Sequence, residues 1–173
     1  MNTKDIEDLK RVDAIIERHA RAMRDADEAR IEPIMYRFED DDPGEPTGRH
    51  QIVCTLDDEA LERVLAVAQD AMADFGREWE KRQRRQIDLM VEGITKVEQF
   101  DSLSAAIKSV VHASKFTARA NKNTIELLGF DPNCGSISQR TAQRILDAFR
   151  SECAAVREEC LSELRAMGLT VEG

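Results

Sequence analysis

The sequence predicts a mainly α-helical fold: an elongated antiparallel helical bundle or coiled coil, with room for a small β-hairpin between the first and second helices. Three observations carry this. Apolar residues recur in steps of three and four over long stretches, the spacing that lines up one face of a helix. Aromatic residues make up only 5% of the chain, with 4 prolines and 8 glycines, too few turn formers for a sandwich or barrel. Charged residues reach 34%, as surface-rich helices require. At 173 residues the chain fits one domain, 1–173, large enough to bury a core without staples.

The first helix is expected from about Lys4 to Arg30, with Leu9, Val12, Ile16, His19, Met23 and Ala26 on its inner face. Pro33 disfavours helical geometry at Glu32 and ends it. Over residues 34–56 the period changes to two. Ile34, Tyr36 and Phe38 alternate with polar neighbours, as do Ile52, Cys54 and Leu56, around a turn-rich DDDPGEPTG. This segment reads as a hairpin or a loop insertion, and a lone hairpin would have to lie on the helices.

Asp57 or Asp58 caps the second helix. Leu61, Leu65, Ala68, Met72, Phe75 and Trp79 then form a seven-residue repeat. Its register slips through Gln83 to Ile87, Met90, Ile94 and Val97, beside the basic KRQRRQ of residues 81–86. An unbroken helix over 58–100 would make a rod of about 65 Å. Asp101 opens a further expected helix to Leu128, with Gly129 as its stop. Ser136 and Gln139 have capping-box spacing for the last helix. That helix aligns Ile145, Phe149, Val156, Cys160, Leu164 and Met167 and stops at Gly168, leaving residues 169–173 as a frayed tail.

The net charge of −9 disfavours long-range attraction to nucleic acid. It is uneven: residues 101–150 hold 7 basic and 4 acidic groups, whereas residues 1–48 hold 8 and 14. No apolar run approaches the ~20 residues of a membrane span. The charged N-terminus offers no signal-peptide core, so the expected compartment is the cytoplasm, without membrane partners. Cys54, Cys134, Cys153 and Cys160 show no framework spacing and read as mostly buried thiols. Glu39 and Asp40 to Asp42 lack the spaced ligands of a calcium loop, and His19 reads as a core histidine. No metal site and no cofactor is implied.

Two constellations point to chemistry. Lys108, His112, Lys115, Arg119 and Lys122 recur in steps of four and three, which a helix would place in one basic stripe. Within it, His112-Ala-Ser-Lys115 resembles the core of histidine phosphotransfer domains, although Phe116 stands where that family carries glycine. The resemblance implies His112 as phosphoacceptor with Lys115 beside it. The second constellation lies in residues 125–150. Ser136 to Leu146 resembles the recognition helix of helix-turn-helix proteins, with Ile125 to Gly129 as supporting helix. It implies DNA contacts by Ser138, Gln139, Arg140, Thr141, Gln143 and Arg144, where arginine and glutamine suit guanine and adenine edges.

No phosphate loop, serine elbow or zinc-ligand cluster is readable. The leading expectation is therefore a non-enzymatic interaction module: an adaptor, regulator or inhibitor that binds another protein or itself. Its interaction stripe would be Leu61, Leu65, Met72, Phe75 and Trp79. DNA binding through 125–150 and phosphotransfer through His112 are the alternatives, so nucleic acid stays open as a partner.

Overall fold

The computed structural model describes residues 3–34, 48–93, 103–104, 107–108, 110, 116–130 and 137–169. The chain is mainly helical. Among the described residues, the long helices α1 (Thr3–Glu28), α2 (Asp58–Gly93) and α3 (Gln139–Ala166) accompany the short strands β1 (Glu32–Ile34), β2 (Gly48–Val53), β3 (Thr117–Asn121) and β4 (Thr124–Phe130). The strands form one antiparallel sheet in the order β1-β2-β4-β3.

The hairpin expected between the first two helices is present. β1 pairs with β2, setting Glu32 opposite Gln51 and Ile34 opposite Arg49. Its inner strand β2 buries Ile52 in the core shared with the helices, and the hairpin is stabilised further by β4, which pairs with the other edge of β2. The phase of β2 is as read: Ile52 and Cys54 are buried while Val53 is exposed.

The helix expected from Asp101 to Leu128 is overturned in its second half. Residues 103, 104, 107, 108 and 110 are helical, but residues 117–130 form the hairpin of β3 and β4. The reason is a period of two. Phe116 and Ala118 face inward while Thr117 and Arg119 face out, and Ile125 and Leu127 turn inward from β4. Lys122 takes up the left-handed conformation of the two-residue turn, at φ 51°. Gly129 is therefore no helix stop. Between the pairs His50–Leu127 and Gly48–Phe130, β4 carries one residue more than β2, and Gly129 (φ 99°) lies in this bulge.

The helices cover one face of the sheet. α2 runs across β3 and β4 and packs beside α3, and α1 lies along α3. Ile52, Met72, Phe75, Ile125, Leu127, Ile145 and Phe149 form the main core, and all are essentially inaccessible. Phe75 meets Phe116 edge-on at 4.9 Å and stacks on Trp79 at 6.4 Å, so three aromatic rings bind α2 to the start of β3. On the other edge of that strand, Gln69 of α2 donates to the Ala118 carbonyl at 3.1 Å. A sheet edge is an open template for another strand, and this side chain occupies part of it.

The inner face of α1 is rotated from the expected one. Ile15, Ala22, Asp25 and Ala29 are buried, whereas Leu9, Ile16 and Met23 are exposed and His19 is only half-buried. α1 carries apolar residues on both flanks, and polar contacts decide which flank turns inward. Arg18 reaches Asp57 at 2.6 Å, Glu159 at 2.7 Å and Glu163 at 3.7 Å, joining α1 to α2 and α3. Desolvation opposes the charge of Arg18, but its bonds to Asp57 and Glu159 outweigh it and raise the pKa. Asp25 is buried because it accepts from both the Thr55 N–H (2.5 Å) and hydroxyl (3.0 Å).

Both long caps are formed by side-chain oxygens. Asp57 accepts from the Ala60 N–H at 3.0 Å; that bond, with Arg18 behind it, holds the Asp57 carboxyl below its usual pKa. α3 starts two residues later than expected. Its N-cap is Ser138, which accepts from the Thr141 N–H at 3.2 Å; Ser136 lies outside the described residues. Gly168, with φ 79°, follows its C-cap as read from the sequence. Cys54, Cys153 and Cys160 are buried free thiols, and Cys134 lies outside the described residues.

Candidate interaction surface

The stripe Leu61, Leu65, Met72, Phe75 and Trp79 is where the sequence places binding. The structure places it inside. Met72 and Phe75 belong to the core, and Leu61, Leu65 and Trp79 pack against it. Ala60, Val64, Ala68 and Ala71 are buried as well, so the covered face of α2 is too broad for a two-helix seam. The apolar demand of this stripe is met within the chain by α3 and the sheet.

The open surface lies further along the same helix. Buried residues of α2 end at Gly76, although the helix continues to Gly93. Arg77 to Gly93 thus extends about 25 Å beyond the last buried residue. Leu89 is 62% exposed and Val91 56%. One flank of this arm is partly covered: Arg84, Ile87 and Asp88 border the same depression, about 400 Å³, as Ile107 and Val110. The flank opposite is exposed.

The arm is also where an acidic chain turns basic. Arg77, Lys81, Arg82, Arg84 and Arg85 outnumber Glu78 and Glu80 within nine residues. Some of this charge is neutralised locally, as expected for a solvated flank. Arg84 pairs with Glu80 at 2.8 Å, Arg77 pairs with Asp74, and Arg82 lies over the Trp79 ring at 5.6 Å. Lys81 and Arg85 are exposed and have no such partner among the described residues.

The basic stripe is not one helix face. Lys108 is helical and exposed, Arg119 lies on β3, and Lys122 is in the turn. His112 and Lys115 lie outside the described residues. Phe116, at the position after Lys115, is buried against Phe75. The chain here enters the core as a strand instead of continuing a helix. Arg119 has a structural partner: its guanidinium donates to Glu126 at 2.7 and 2.8 Å, and Asn121 donates to the other carboxylate oxygen at 2.7 Å. These contacts lie on the sheet face away from the helices and satisfy a carboxylate that is only 5% exposed.

The recognition-helix reading meets a similar correction. Its supporting helix, Ile125 to Leu128, is part of β4. Thr141 is buried and shares a hydrogen bond with Ser138 at 2.7 Å. Gln143 donates to Asp147 at 2.7 Å, and Arg144 pairs with Asp74 of α2 at 2.7 Å. The bond from Arg144, followed by that from Arg77, lowers the pKa of Asp74. Of the six residues, Gln139 and Arg140 alone are exposed without a hydrogen-bond partner among the described residues. A depression of about 420 Å³ beside them is lined by Asp74 and Glu78 as well as Arg140 and Arg144, so its charge is mixed.

Sequence reasoning missed the arm because it weighed α2 by its most regular stripe. The usable signal was the slip at Gln83, beyond which the apolar residues Leu89, Met90 and Val91 stand consecutively and cannot all face one partner. Comparison with protein families, with curated proteins and with solved structures finds no match. No helix among the described residues is long and apolar enough to cross a membrane.

Proposed function

We propose that the protein is a non-enzymatic interaction module, an adaptor, regulator or inhibitor. Its α+β body holds out the distal half of α2 to a macromolecular partner. The observation that supports this reading is the end of burial at Gly76 on a helix that runs on to Gly93 with Leu89 and Val91 exposed. A helix half of this length gains little from its own propensity, and in proteins such segments are stabilised mainly by what they pack against. Exposed apolar residues flanked by charge have the make-up of an interface core and rim.

The test is quantitative affinity capture from the native host. Three baits are compared: the unaltered chain, Leu89→Ser with Val91→Ser, and Leu9→Ser, an exposed position on α1. The expected result is a partner retained by the first and third baits and reduced about tenfold or more by the arm substitutions, as for loss of interface anchors. Equal capture by all three baits would refute the arm as the binding surface.

A further inference from the structure

Lys81, Arg85, Asp88 and Glu92 follow one another in steps of four, three and four, so they share one line on α2. The line faces away from Trp79, Gln83 and Ile87, which are partly covered, and Asp88 forms its margin with the depression bordered by Ile107 and Val110. All four side chains are exposed, and none has an ion pair among the described residues, although Arg63, Arg77 and Arg84 on the same helix all do. Their order is two positive charges, then two negative. Within one helix this order sets two like-charged pairs one turn apart, Lys81–Arg85 and Asp88–Glu92, against one opposite-charge neighbour pair, Arg85–Asp88.

The same order is self-complementary. We infer that the arm docks on a second copy of itself, antiparallel about a two-fold axis passing between Arg85 and Asp88. Such an axis brings Lys81 of one copy opposite Glu92 of the other, and Arg85 opposite Asp88. Symmetry doubles each contact, so four opposite-charge pairs form across the interface and offset the like-charged neighbours within each helix. Leu89, beside this line, supplies the apolar contact next to the axis. The inference rests on the reading of the arm as the binding surface and names one occupant for it. A helix segment of about 25 Å offers a footprint in the small, transient interface class. Its charged contacts make the association sensitive to salt.

Sedimentation equilibrium on the full chain tests it, at roughly 0.5 mM protein and about 20 mM salt, where screening is weak. The apparent mass should rise from 19.6 kDa towards twice that value and return to it in about 0.5 M salt. Lys81→Glu with Arg85→Glu makes the line wholly acidic, and Asp88→Lys with Glu92→Lys makes it wholly basic. Each variant alone should stay at 19.6 kDa with unchanged helicity, and an equimolar mixture of the two should recover the dimer. A monomeric unaltered chain, a dimer formed equally by either variant alone, or a mixture that stays monomeric would overturn the inference. A monomeric chain whose partner capture still depends on Leu89 and Val91 would leave the arm as a surface for a different protein. Capture that ignores the arm would remove the wider reading, whatever the mass.

Discussion

Phe75→Ala should cost about 3–5 kcal/mol of folding stability, the largest loss expected from any single truncation on α2. Phe75 is 2% exposed and joins two kinds of packing. It sits in the main core with Met72 and Phe149, and it meets Phe116 edge-on at the point where the chain enters β3. Truncation removes buried apolar area and leaves a cavity, and it also removes aromatic contacts worth about 0.5–1.5 kcal/mol beyond area. For a chain of this size the loss corresponds to roughly 6–20 °C in Tm. Calorimetry measures it directly, and the single tryptophan, Trp79, 6.4 Å from Phe75, reports the change in fluorescence. Leu89→Ala, at an exposed arm position, should leave Tm nearly unchanged.

Stability should also fall steeply on the alkaline side. Burial pushes the Cys54 thiol up to about 11, and the nearby Asp25 carboxylate adds to the shift. Burial likewise pushes Cys153 up to about 12, again with Asp25 contributing. Both values lie above the 9.0 of an unhindered thiol, so the folded chain holds these protons more tightly than the unfolded chain does. The stabilisation is fully present below pH 9 and is lost as pH rises through 11 and 12. At no more than about 1.4 kcal/mol per pH unit per thiol, a rise from pH 8 to 10.5 should remove roughly 4 kcal/mol in all. Urea midpoints at pH 8 and 10.5 measure it. The variant carrying Cys54→Ala and Cys153→Ala should start lower at pH 8, from the cavities left, but lose much less between the two values. An equal alkaline loss in both proteins would show that other groups control it.

Much of the helical framework was legible, because its signals are local. Asp57 as a cap, Gly168 as a stop and the inward line of Ile145, Phe149, Val156, Cys160 and Leu164 need only the neighbouring residues. The β1–β2 hairpin was readable from the phase of Ile52 and Cys54. The β3–β4 hairpin was not. Its one buried position on β3 is Ala118, next to the buried Phe116 before the strand, and alanine gives no alternating signal, so Val110, Val111 and Ile125 appeared to belong to one helix with a polar interval. Gly129 was read as a helix stop, and its positive φ serves a bulge instead. The rotation of α1 depends on Arg18 meeting Asp57 and Glu159, contacts between residues 39 and 141 positions apart. Spacing along one helix carries no information about them.

The same limit applies to the candidate sites. Arg144 looked free for a base edge because Asp74, its partner, lies 70 residues away. Arg119 looked like a member of a helical stripe because nothing local shows that it faces Glu126 across a hairpin. The arm was hidden for the opposite reason. Its sequence looks like a continuation of the buried repeat, and only the packing of α3 and the sheet shows where burial stops.

The most direct test of the binding arm is site-specific photo-crosslinking in the native host. A photoreactive side chain is placed at Leu89 on the arm or at Leu9 on α1; both positions are exposed, at 62% and 59%. Discrete adducts are expected from position 89, including one of twice the chain mass if a second copy docks there, and only background from position 9. Adducts of equal yield from both positions, or none from position 89 while position 9 reacts, would contradict binding through the arm.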